Sequence, residues 1–184
     1  MTIDLGTGDG RFVLAAASDR PDRLVIGVDA SAAGMAEASR RAAAKPRRGG
    51  RPNALFVAAA AEALPAELNG LAELVTVHFP WGSLLRGLLG PEPAVLGGIA
   101  RVLRPGARLD LLVSVTDRDH GAGSRPLDAE AIAALAPAYA REGLELGQPR
   151  PATAAEIAAT RSTWGKRLGA GATRPAWLVS ARRS

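Results

Sequence analysis

Residues 2–11 read TIDLGTGDGR, a short apolar run that enters a glycine-rich turn. Glycines at positions 6, 8 and 10 allow the backbone to adopt positive φ and to approach a ligand closely. A second apolar run, residues 24–28, is followed by Asp29, about 20 residues beyond the first glycines. A carboxylate at that place can accept hydrogen bonds from both ribose hydroxyls of a nucleoside. The spacing therefore predicts a nucleoside site beyond the carboxyl ends of two parallel strands.

The remainder of the chain alternates strand-like and helical segments, which predicts βαβ crossovers and a mostly parallel sheet. The sequence shows no internal repeat and no domain linker. We therefore expect one α/β domain over residues 1–184, a Rossmann-like fold whose seven-stranded sheet carries helices on both faces. The further expected strands are residues 55–58, 74–78, 108–115, 144–146 and 176–181.

Helix boundaries are marked by caps and prolines. Ser31 is a good N-cap, and Thr153 with Glu156 has the spacing of a capping box. A helix over residues 93–103 is expected to stop at the Arg-Pro-Gly of residues 104–106. The other expected segments are a helix over 128–142 that breaks at Pro137, and loops over 45–53 and 117–126.

Composition excludes several kinds of chemistry. The chain has 184 residues, 47% of them apolar and 22% charged, which is ordinary for a globular protein. It has no Cys, which excludes disulfides, Cys-ligated zinc, iron–sulfur clusters and thiol nucleophiles, and with two His we expect no metal site. There is no apolar stretch of about 18 residues and no signal-peptide pattern. We therefore expect a cytoplasmic protein that does not associate with membranes.

The glycine-rich loop itself indicates which cofactor it binds. Asp9 lies inside the loop, where it would repel the pyrophosphate of NAD. S-adenosylmethionine (SAM) carries an ammonium group, a sulfonium and a ribose but no phosphate, so the loop favours SAM over NAD. After the third strand, residues 61–65 (AEALP) lie where such folds contact the adenine ring, although Glu62 is equally well explained as a solvated acid.

A second informative stretch, Phe79-Pro80-Trp81, follows the fourth strand. In a SAM-dependent fold the methyl acceptor is bound here. We interpret the motif as lacking an Asp, Asn or His that would act as a general base. An acceptor that already carries a free lone pair, such as N1 of adenine, needs no base, and proximity can supply most of the acceleration. Trp81 at this position favours stacking on a flat base over packing in the core.

Tryptophans and basic residues point to RNA. Trp164 has basic neighbours on both sides, and with Trp81 it could clamp an extruded base, each stack contributing about 1–3 kcal/mol. Trp177 lies in the last strand and is interpreted as a core residue. The alternative explanation for the basic clusters is a solvated helix face, and the alternative for the high Arg count is a GC-rich genome that favours Arg codons. These clusters are Arg40, Arg41, Lys45, Arg47, Arg48 and Arg51, and then Arg161, Lys166, Arg167 and Arg174.

Five stretches taken together resemble a known family: DLGTGDG (4–10), AAAKPRRGGRPN (42–53), AEALP (61–65), FPWGSLLRGLLG (79–90) and STWGKRL (162–168). They are similar, in order and across nearly the whole chain, to the aminoglycoside-resistance 16S rRNA methyltransferases of the kanamycin–apramycin type. The resemblance implies SAM-dependent methylation of N1 of adenine 1408 in the assembled 30S subunit. It also implies release of S-adenosyl-L-homocysteine, and we expect a monomer.

The same resemblance assigns roles to residues by position. The SAM site would contain Asp4, Gly6, Thr7, Gly8, Asp9, Asp29, Ala30, Ala61, Glu62 and Phe79. The target adenine would lie against Pro80, between Trp81 and Trp164, with Ser162 helping to position Trp164. The rRNA would contact Arg40, Arg41, Lys45, Arg47, Arg48, Arg167 and Arg174.

One departure from the family concerns the N-terminus. The family normally carries an extension, partly a β-hairpin, before the first strand, whereas this chain begins almost inside that strand. We expect that such a segment is missing here and that rRNA docking is weakened more than SAM binding. Two other functions therefore stay open. One is a small-molecule methyltransferase of an antibiotic pathway, and the other is an rRNA-binding paralogue with weak or no catalysis.

Overall fold

The computed structural model describes residues 1–90, 93–115 and 127–184. Their strands form a single mixed sheet in the order β3-β2-β1-β4-β5-β8-β6, with the short β7 also paired to β8. The strands are β1 (Thr2–Leu5), β2 (Val25–Asp29), β3 (Ala54–Ala58), β4 (Ala72–His78), β5 (Leu103–Val113), β6 (Leu144–Leu146), β7 (Arg150–Pro151) and β8 (Trp177–Arg183).

Parallel pairing runs through β3, β2, β1, β4 and β5, whereas β8 is antiparallel to β5 and to both β6 and β7. The predicted seven-stranded, mostly parallel sheet is thus confirmed. Strand β7 was not predicted, because two paired residues have no periodicity that a sequence could display. The parallel order places the carboxyl ends of β1, β2, β3 and β4 side by side at one edge of the sheet.

Eight α-helices are present in the described residues: α1 (Arg11–Asp19), α2 (Ala32–Ala42), α3 (Gly82–Leu89), α4 (Pro93–Val102), α5 (Ala129–Ala133), α6 (Ala136–Arg141), α7 (Ala154–Ala159) and α8 (Thr163–Leu168). Three short 3-10 helices cover Pro46–Arg48, Ala61–Ala63 and Ala66–Leu68. None of these helices is long and apolar enough to span a membrane.

Three local predictions about the helices are confirmed. Ser31 caps α2 by accepting a hydrogen bond from the Gly34 amide. Thr153 begins α7 with a complete capping box. The break expected at Pro137 separates α5 from α6, and Pro137 lies in the first turn of α6, where its missing N–H costs nothing.

One boundary prediction is wrong. The Arg-Pro-Gly of residues 104–106 does not separate a helix from a strand, because α4 ends at Val102 and β5 begins at Leu103. These residues form an irregularity inside β5: Ala72 pairs with Leu103, but Leu74 pairs with Arg108. A bulge of this kind accommodates a proline within a ladder. The predicted loop over 117–126 lies outside the described residues.

Helices cover both faces of the sheet, as predicted. On β2, Val25 packs with Val13 of α1, whereas Ile26 packs in the cluster that contains Ile99 of α4 and Leu85 of α3. Neighbouring residues of a strand point to opposite faces, so α1 and α4 lie on opposite sides of the sheet. Trp177 packs against the main core and donates its indole N–H to the Leu127 carbonyl at 3.0 Å, which agrees with its predicted core role.

The start of α7 carries an ion pair that changes a pKa. Glu156 accepts hydrogen bonds from the Thr153 amide at 2.8 Å and from Arg150 at 3.0 Å. The Arg150 guanidinium, together with the Thr153 donors, lowers the pKa of Glu156 from its ordinary value of 4.5 to about 2. The ionised carboxylate therefore stabilises the folded chain at neutral pH.

We expect the stability difference between the wild type and Glu156→Gln to depend on pH. Glutamine retains a capping acceptor but offers no charge to Arg150. A carboxyl group with a lowered folded-state pKa contributes stability above its unfolded pKa of 4.5, and this contribution is lost as the pH falls toward about 2. Melting temperatures measured by circular dichroism over this range are therefore expected to converge on acidification. A difference that grows on acidification would contradict the assignment.

Candidate active site

A cavity of about 530 Å³ opens at the carboxyl ends of the parallel strands. Its volume suits a cofactor, since such sites commonly measure about 300–1,000 Å³. The cavity brings together every residue that the sequence assigned to cofactor binding or catalysis. These are Asp4, Gly6, Thr7, Gly8, Asp9, Asp29, Ala30, Ala61, Glu62, Phe79, Pro80, Trp81, Ser162 and Trp164.

The glycine-rich loop is held by β2. Gly6, Gly8 and Gly10 all have positive φ, at 70°, 58° and 69°, as the sequence predicted. The Asp29 carboxylate accepts one hydrogen bond from the Gly8 amide at 2.9 Å and another from the Ser31 amide at 2.8 Å. Each carboxylate oxygen has two acceptor sites, so Asp29 can still accept hydrogen bonds from a ligand while it fixes the loop.

We expect Asp29→Ala to weaken SAM binding by about tenfold or more, since a hydrogen bond to a charged group is worth about 1.5–3 kcal/mol. The substitution also releases the Gly8 amide and loosens the loop. Isothermal titration calorimetry with SAM measures the effect. Asp19→Ala, at the exposed end of α1, serves as the matched control and should bind SAM as the wild type does. Unchanged affinity in Asp29→Ala would exclude this role.

The charge of the cavity is opposite to that of the chain. The formal net charge is +5, yet the described lining residues include four acids and no Lys or Arg: Asp4, Asp9, Asp29 and Glu62. The Thr7 hydroxyl, which is also in the lining, is buried without a hydrogen-bond partner. An acidic lining with an unused hydroxyl fits a cationic ligand that carries hydroxyl and amino groups, as SAM does, and disfavours a phosphate.

The wall after β3 is formed by the short helix Ala61–Ala63. Gly98 of α4 packs on this helix so closely that a Cβ atom there would lie 2.4 Å from the Ala61 carbonyl oxygen. This close contact holds the helix Ala61–Ala63 against α4. Glu62 is exposed, so its carboxylate is available both to solvent and to a ligand.

Each exposed tryptophan follows a strained residue. Among the described non-glycine residues, two have positive φ: Phe79 at 50° and Arg161 at 52°. Trp81 comes two residues after Phe79 and is 73% exposed, whereas Trp164 comes three residues after Arg161 and is 42% exposed. Backbone strain of this kind costs about 1–3 kcal/mol and clusters at functional sites. It persists here because the neighbouring structure holds both turns.

The two indole rings face each other at the mouth of the cavity, with centroids 6.3 Å apart and planes inclined by 43°. Ser162 caps α8 by accepting a hydrogen bond from the Gly165 amide at 3.0 Å, and this cap sets the start of the helix that carries Trp164. Gly165 itself lies on the buried Phe79 ring, because a Cβ atom there would be 2.5 Å from the ring. The Phe79 ring therefore joins the two elements that carry the tryptophans.

A hydrogen bond joins α8 to the glycine-rich loop. The Thr163 hydroxyl donates a hydrogen bond to Asp9 at 3.3 Å, across 154 residues of sequence. Asp9 is also in contact with Arg11 at 3.3 Å. The base of the Trp164 helix is thus attached directly to the loop that the sequence assigns to the cofactor.

The interpretation that no His lies beside the Phe79–Trp81 motif is wrong. His78 is the last residue of β4 and lines the cavity. Its Nδ1 atom is 3.2 Å from Asp4 Oδ1, and its ring packs edge-on against Phe12 with centroids 4.5 Å apart. The expectation rested on the residues that follow β4, whereas His78 is the end of the strand itself. Alternation along β4, which places residues 76 and 78 on one face, was the signal that could have found it.

Comparison with known proteins identifies the family. The family model for NpmA, 16S rRNA (adenine(1408)-N(1))-methyltransferase, matches residues 1–183. The chain belongs to this family. It is accordingly a SAM-dependent rRNA methyltransferase, as the resemblance in its sequence implied.

Individual relatives agree with this assignment. A 16S rRNA (adenine(1408)-N(1))-methyltransferase from Streptoalloteichus tenebrarius is 40% identical over 173 residues, which are 91% of this chain and 80% of that protein. The crystal structure of a variant of such an enzyme from Catenulisporales acidiphilia, solved with the cosubstrate SAM, superposes with a TM-score of 0.89 at 34% identity, covering 99% of this chain and 84% of that one. The aminoglycoside resistance methyltransferase NpmB1 gives a TM-score of 0.82 at 40% identity, covering 100% and 86%.

The basic cluster at the end of α2 and in the loop that follows it is at the surface of this methyltransferase, but its members differ. Arg40 donates a hydrogen bond to Glu37 at 2.6 Å, so an exposed ion pair already compensates its charge. Arg51 donates to the carbonyls of Gly49 and Gly50 at 3.0 Å and thereby holds the loop. Within this cluster the residues assigned to RNA are all exposed: Arg40, Arg41, Lys45, Arg47 and Arg48.

The two basic residues assigned near the target nucleotide lie in different environments. Arg167 is exposed on α8, three residues after Trp164. Arg174 is half-buried, and its guanidinium donates a hydrogen bond to the Ser114 carbonyl at 3.4 Å. Of the two, Arg167 is therefore the better placed to contact RNA, while Arg174 also contributes to the packing of the segment before β8.

Proposed function

We propose that this methyltransferase methylates N1 of adenine 1408 of 16S rRNA within the 30S subunit, acts there as a monomer in the cytoplasm, and thereby confers aminoglycoside resistance. The observation that carries the proposal is the pair of exposed indoles, Trp81 and Trp164, at the mouth of an acidic cavity. The relatives named for this reaction and for aminoglycoside resistance support the choice of nucleotide and the phenotype.

The cavity is assigned to SAM in a definite orientation. Asp29 would accept the ribose hydroxyls, and the helix Ala61–Ala63, with Ala30 opposite, would contact the adenine ring. Asp4 and Asp9 would face the cationic amino-acid part. SAM supplies an electrophilic methyl group when bound and leaves as S-adenosyl-L-homocysteine. The remaining task of the chain is to hold the acceptor nitrogen in line, which requires no proton transfer because N1 of adenine has a free lone pair.

The two indoles are proposed to hold the extruded adenine between them. Atoms in van der Waals contact are about 3.5–4.0 Å apart, so a base between two parallel rings needs about 7 Å. The present separation of 6.3 Å with a 43° inclination is close to this spacing, and a rotation of either exposed ring would open it. Two stacks of about 1–3 kcal/mol each offset the few kcal/mol that base flipping costs.

The basic cluster at the end of α2 and in the loop that follows it is proposed to bind the rRNA backbone away from the target. Among the described residues, Lys45, Arg47 and Arg48 are exposed and have no acidic partner, whereas the exposed Arg41 interacts electrostatically with Glu37. Ser31, at the start of α2, lines the cavity, and the 11 residues of this helix span about 16 Å at about 1.5 Å per residue. The cluster would therefore contact phosphates that lie beyond the flipped nucleotide.

Primer extension across the decoding site tests the proposal. Purified 30S subunits incubated with the protein and SAM are expected to give a reverse-transcription stop at adenine 1408, because a methyl group on N1 blocks Watson–Crick pairing. Reactions without SAM, and reactions with naked 16S rRNA, serve as controls. A stop at another nucleotide would exclude the assigned target. No stop, combined with tight and salt-sensitive binding to 30S subunits, would indicate an rRNA-binding protein without this activity.

A further inference from the structure

A buried polar cluster below the cavity contains Asp4, Thr76 and His78. Asp4 on β1 pairs with Thr76 on the parallel strand β4, and alternation along β4 brings His78 to the same face. Asp4 is 2% exposed and Thr76 is 5% exposed. The Thr76 hydroxyl donates to Asp4 Oδ1 at 2.7 Å, and His78 Nδ1 lies 3.2 Å from the same oxygen. The Thr76 hydroxyl and the His78 Nδ1 atom thus converge on one oxygen of a buried carboxylate.

The His78 contact is incomplete as it stands. Nδ1 is buried and makes no well-aligned hydrogen bond with a described residue, although Asp4 Oδ1 is within hydrogen-bond distance. A small rotation of the ring would align its N–H with that oxygen. Hydrogen bonds of this kind are often poorly aligned without substrate and tighten when it binds. A buried donor left unpaired is costly, which favours formation of the hydrogen bond between His78 and Asp4.

The other oxygen of Asp4 is free to meet a ligand. Both contacts of the carboxylate are made by Oδ1, and no residue that the structure describes binds Oδ2. Asp4 lines the cavity at the same time. A carboxylate held through one oxygen keeps a fixed direction for the other, which gives a cation a defined partner.

We propose that His78 is a positioning residue for SAM. Together with Thr76 it holds Asp4 Oδ1, so that Oδ2 is directed at the α-ammonium group of the cofactor. This inference rests on the assignment of the cavity to SAM. His78 acts by holding Asp4 in place. It does not abstract a proton, because the acceptor nitrogen already has a lone pair. His78 therefore acts on cofactor affinity and leaves the rate of methyl transfer at saturating SAM nearly unchanged.

Calorimetric titration with S-adenosyl-L-homocysteine tests the role without RNA. His78→Phe retains a ring but loses the Nδ1 donor, and we expect the dissociation constant to rise about tenfold or more, as for loss of a hydrogen bond to a charged group. His78→Asn places an amide N–H near the position of Nδ1 and is expected to restore affinity to within about threefold of the wild type. Thr76→Val is expected to weaken binding as His78→Phe does, and Thr76→Ser to retain it.

A second ligand separates positioning from general damage to the fold. 5′-Methylthioadenosine has the adenosine and thioether of the product but lacks the α-ammonium group, so its affinity is expected to be equal in all of these variants. In methylation assays, His78→Phe is expected to raise KM for SAM while kcat stays within about threefold. Equal loss of both ligands, unchanged affinity in His78→Phe, or no rescue by His78→Asn would overturn the inference.

The variant Asp4→Asn shows whether a negative result excludes only the role of His78 or also the assignment of the cavity to SAM. If Asp4→Asn loses affinity for S-adenosyl-L-homocysteine while His78→Phe does not, the cavity holds the cofactor and only the role of His78 is wrong. If Asp4→Asn binds as the wild type does, the ammonium group does not meet Asp4 and the inference is overturned. If Asp29→Ala also binds as the wild type does, the placement of SAM in this cavity is itself wrong. Loss in both Asp4→Asn and His78→Phe, with rescue by His78→Asn, supports the proposal.

Discussion

Trp164→Ala is expected to lower the rate of 16S rRNA methylation about 100-fold or more, while SAM affinity changes less than about threefold. Removing an aromatic platform costs about 1–3 kcal/mol per stacked base, and a flipped adenine held by one ring no longer recovers the cost of leaving the helix. The same result is expected for Trp81→Ala, because both rings are exposed and face each other. Single-turnover methylation of 30S subunits measures the rate, and calorimetry measures SAM binding.

Two further substitutions separate stacking from stability. Trp164→Phe retains an aromatic face and is expected to keep most of the activity that Trp164→Ala loses. Trp177→Phe removes the hydrogen bond to the Leu127 carbonyl in the core, so it should lower the melting temperature and leave methylation at low temperature unchanged. If both alanine variants lose SAM binding as strongly as methylation, the indoles belong to the cofactor site and the clamp is wrong.

Local chemistry explains which parts of the site the sequence could predict. The glycine-rich loop and Asp29 were predictable because both ends of the interaction are short-range signals: positive φ at glycine, and an acid at the end of the next strand. The Ser31 and Thr153 caps were predictable for the same reason, since each cap bonds an amide three residues away. The start of β5 could not be predicted in this way, because the bulge that accommodates Arg-Pro-Gly depends on pairing with β4.

Long-range geometry accounts for what was missed. Nothing local to Trp81 indicates that Trp164 lies 6.3 Å away. Residue type suggested the pair as a clamp, and the resemblance to a family supported it, but neither gave this distance. His78 was overlooked because its importance comes from Asp4 on a neighbouring strand. The strained Phe79 and Arg161 turns are likewise imposed by tertiary packing, and nothing in residue type predicts positive φ for either.

Gly165→Ala is expected to lower methylation about 100-fold, although it adds only one methyl group. The new Cβ atom would lie 2.5 Å from the Phe79 ring, and Phe79 is 2% exposed in a strained turn, so α8 must move instead. A misplacement of about 1 Å can cost about 100-fold in rate, and overpacking costs about 1–3 kcal/mol of stability. Methylation assays and urea unfolding of the same variant measure the two effects.

Gly97→Ala is the matched control, because it makes the same change in another helix, α4, where the new Cβ atom meets only the Glu142 carboxylate at 3.0 Å. That flexible side chain can move aside, and alanine gains up to about 1 kcal/mol of helix propensity over glycine. Gly97→Ala is therefore expected to be neutral or stabilising and fully active. Wild-type methylation by Gly165→Ala would mean that the contact between α8 and Phe79 does not set the position of Trp164. Parallel loss of SAM affinity would show instead that the displaced helix acts through Thr163 and Asp9 on the cofactor loop.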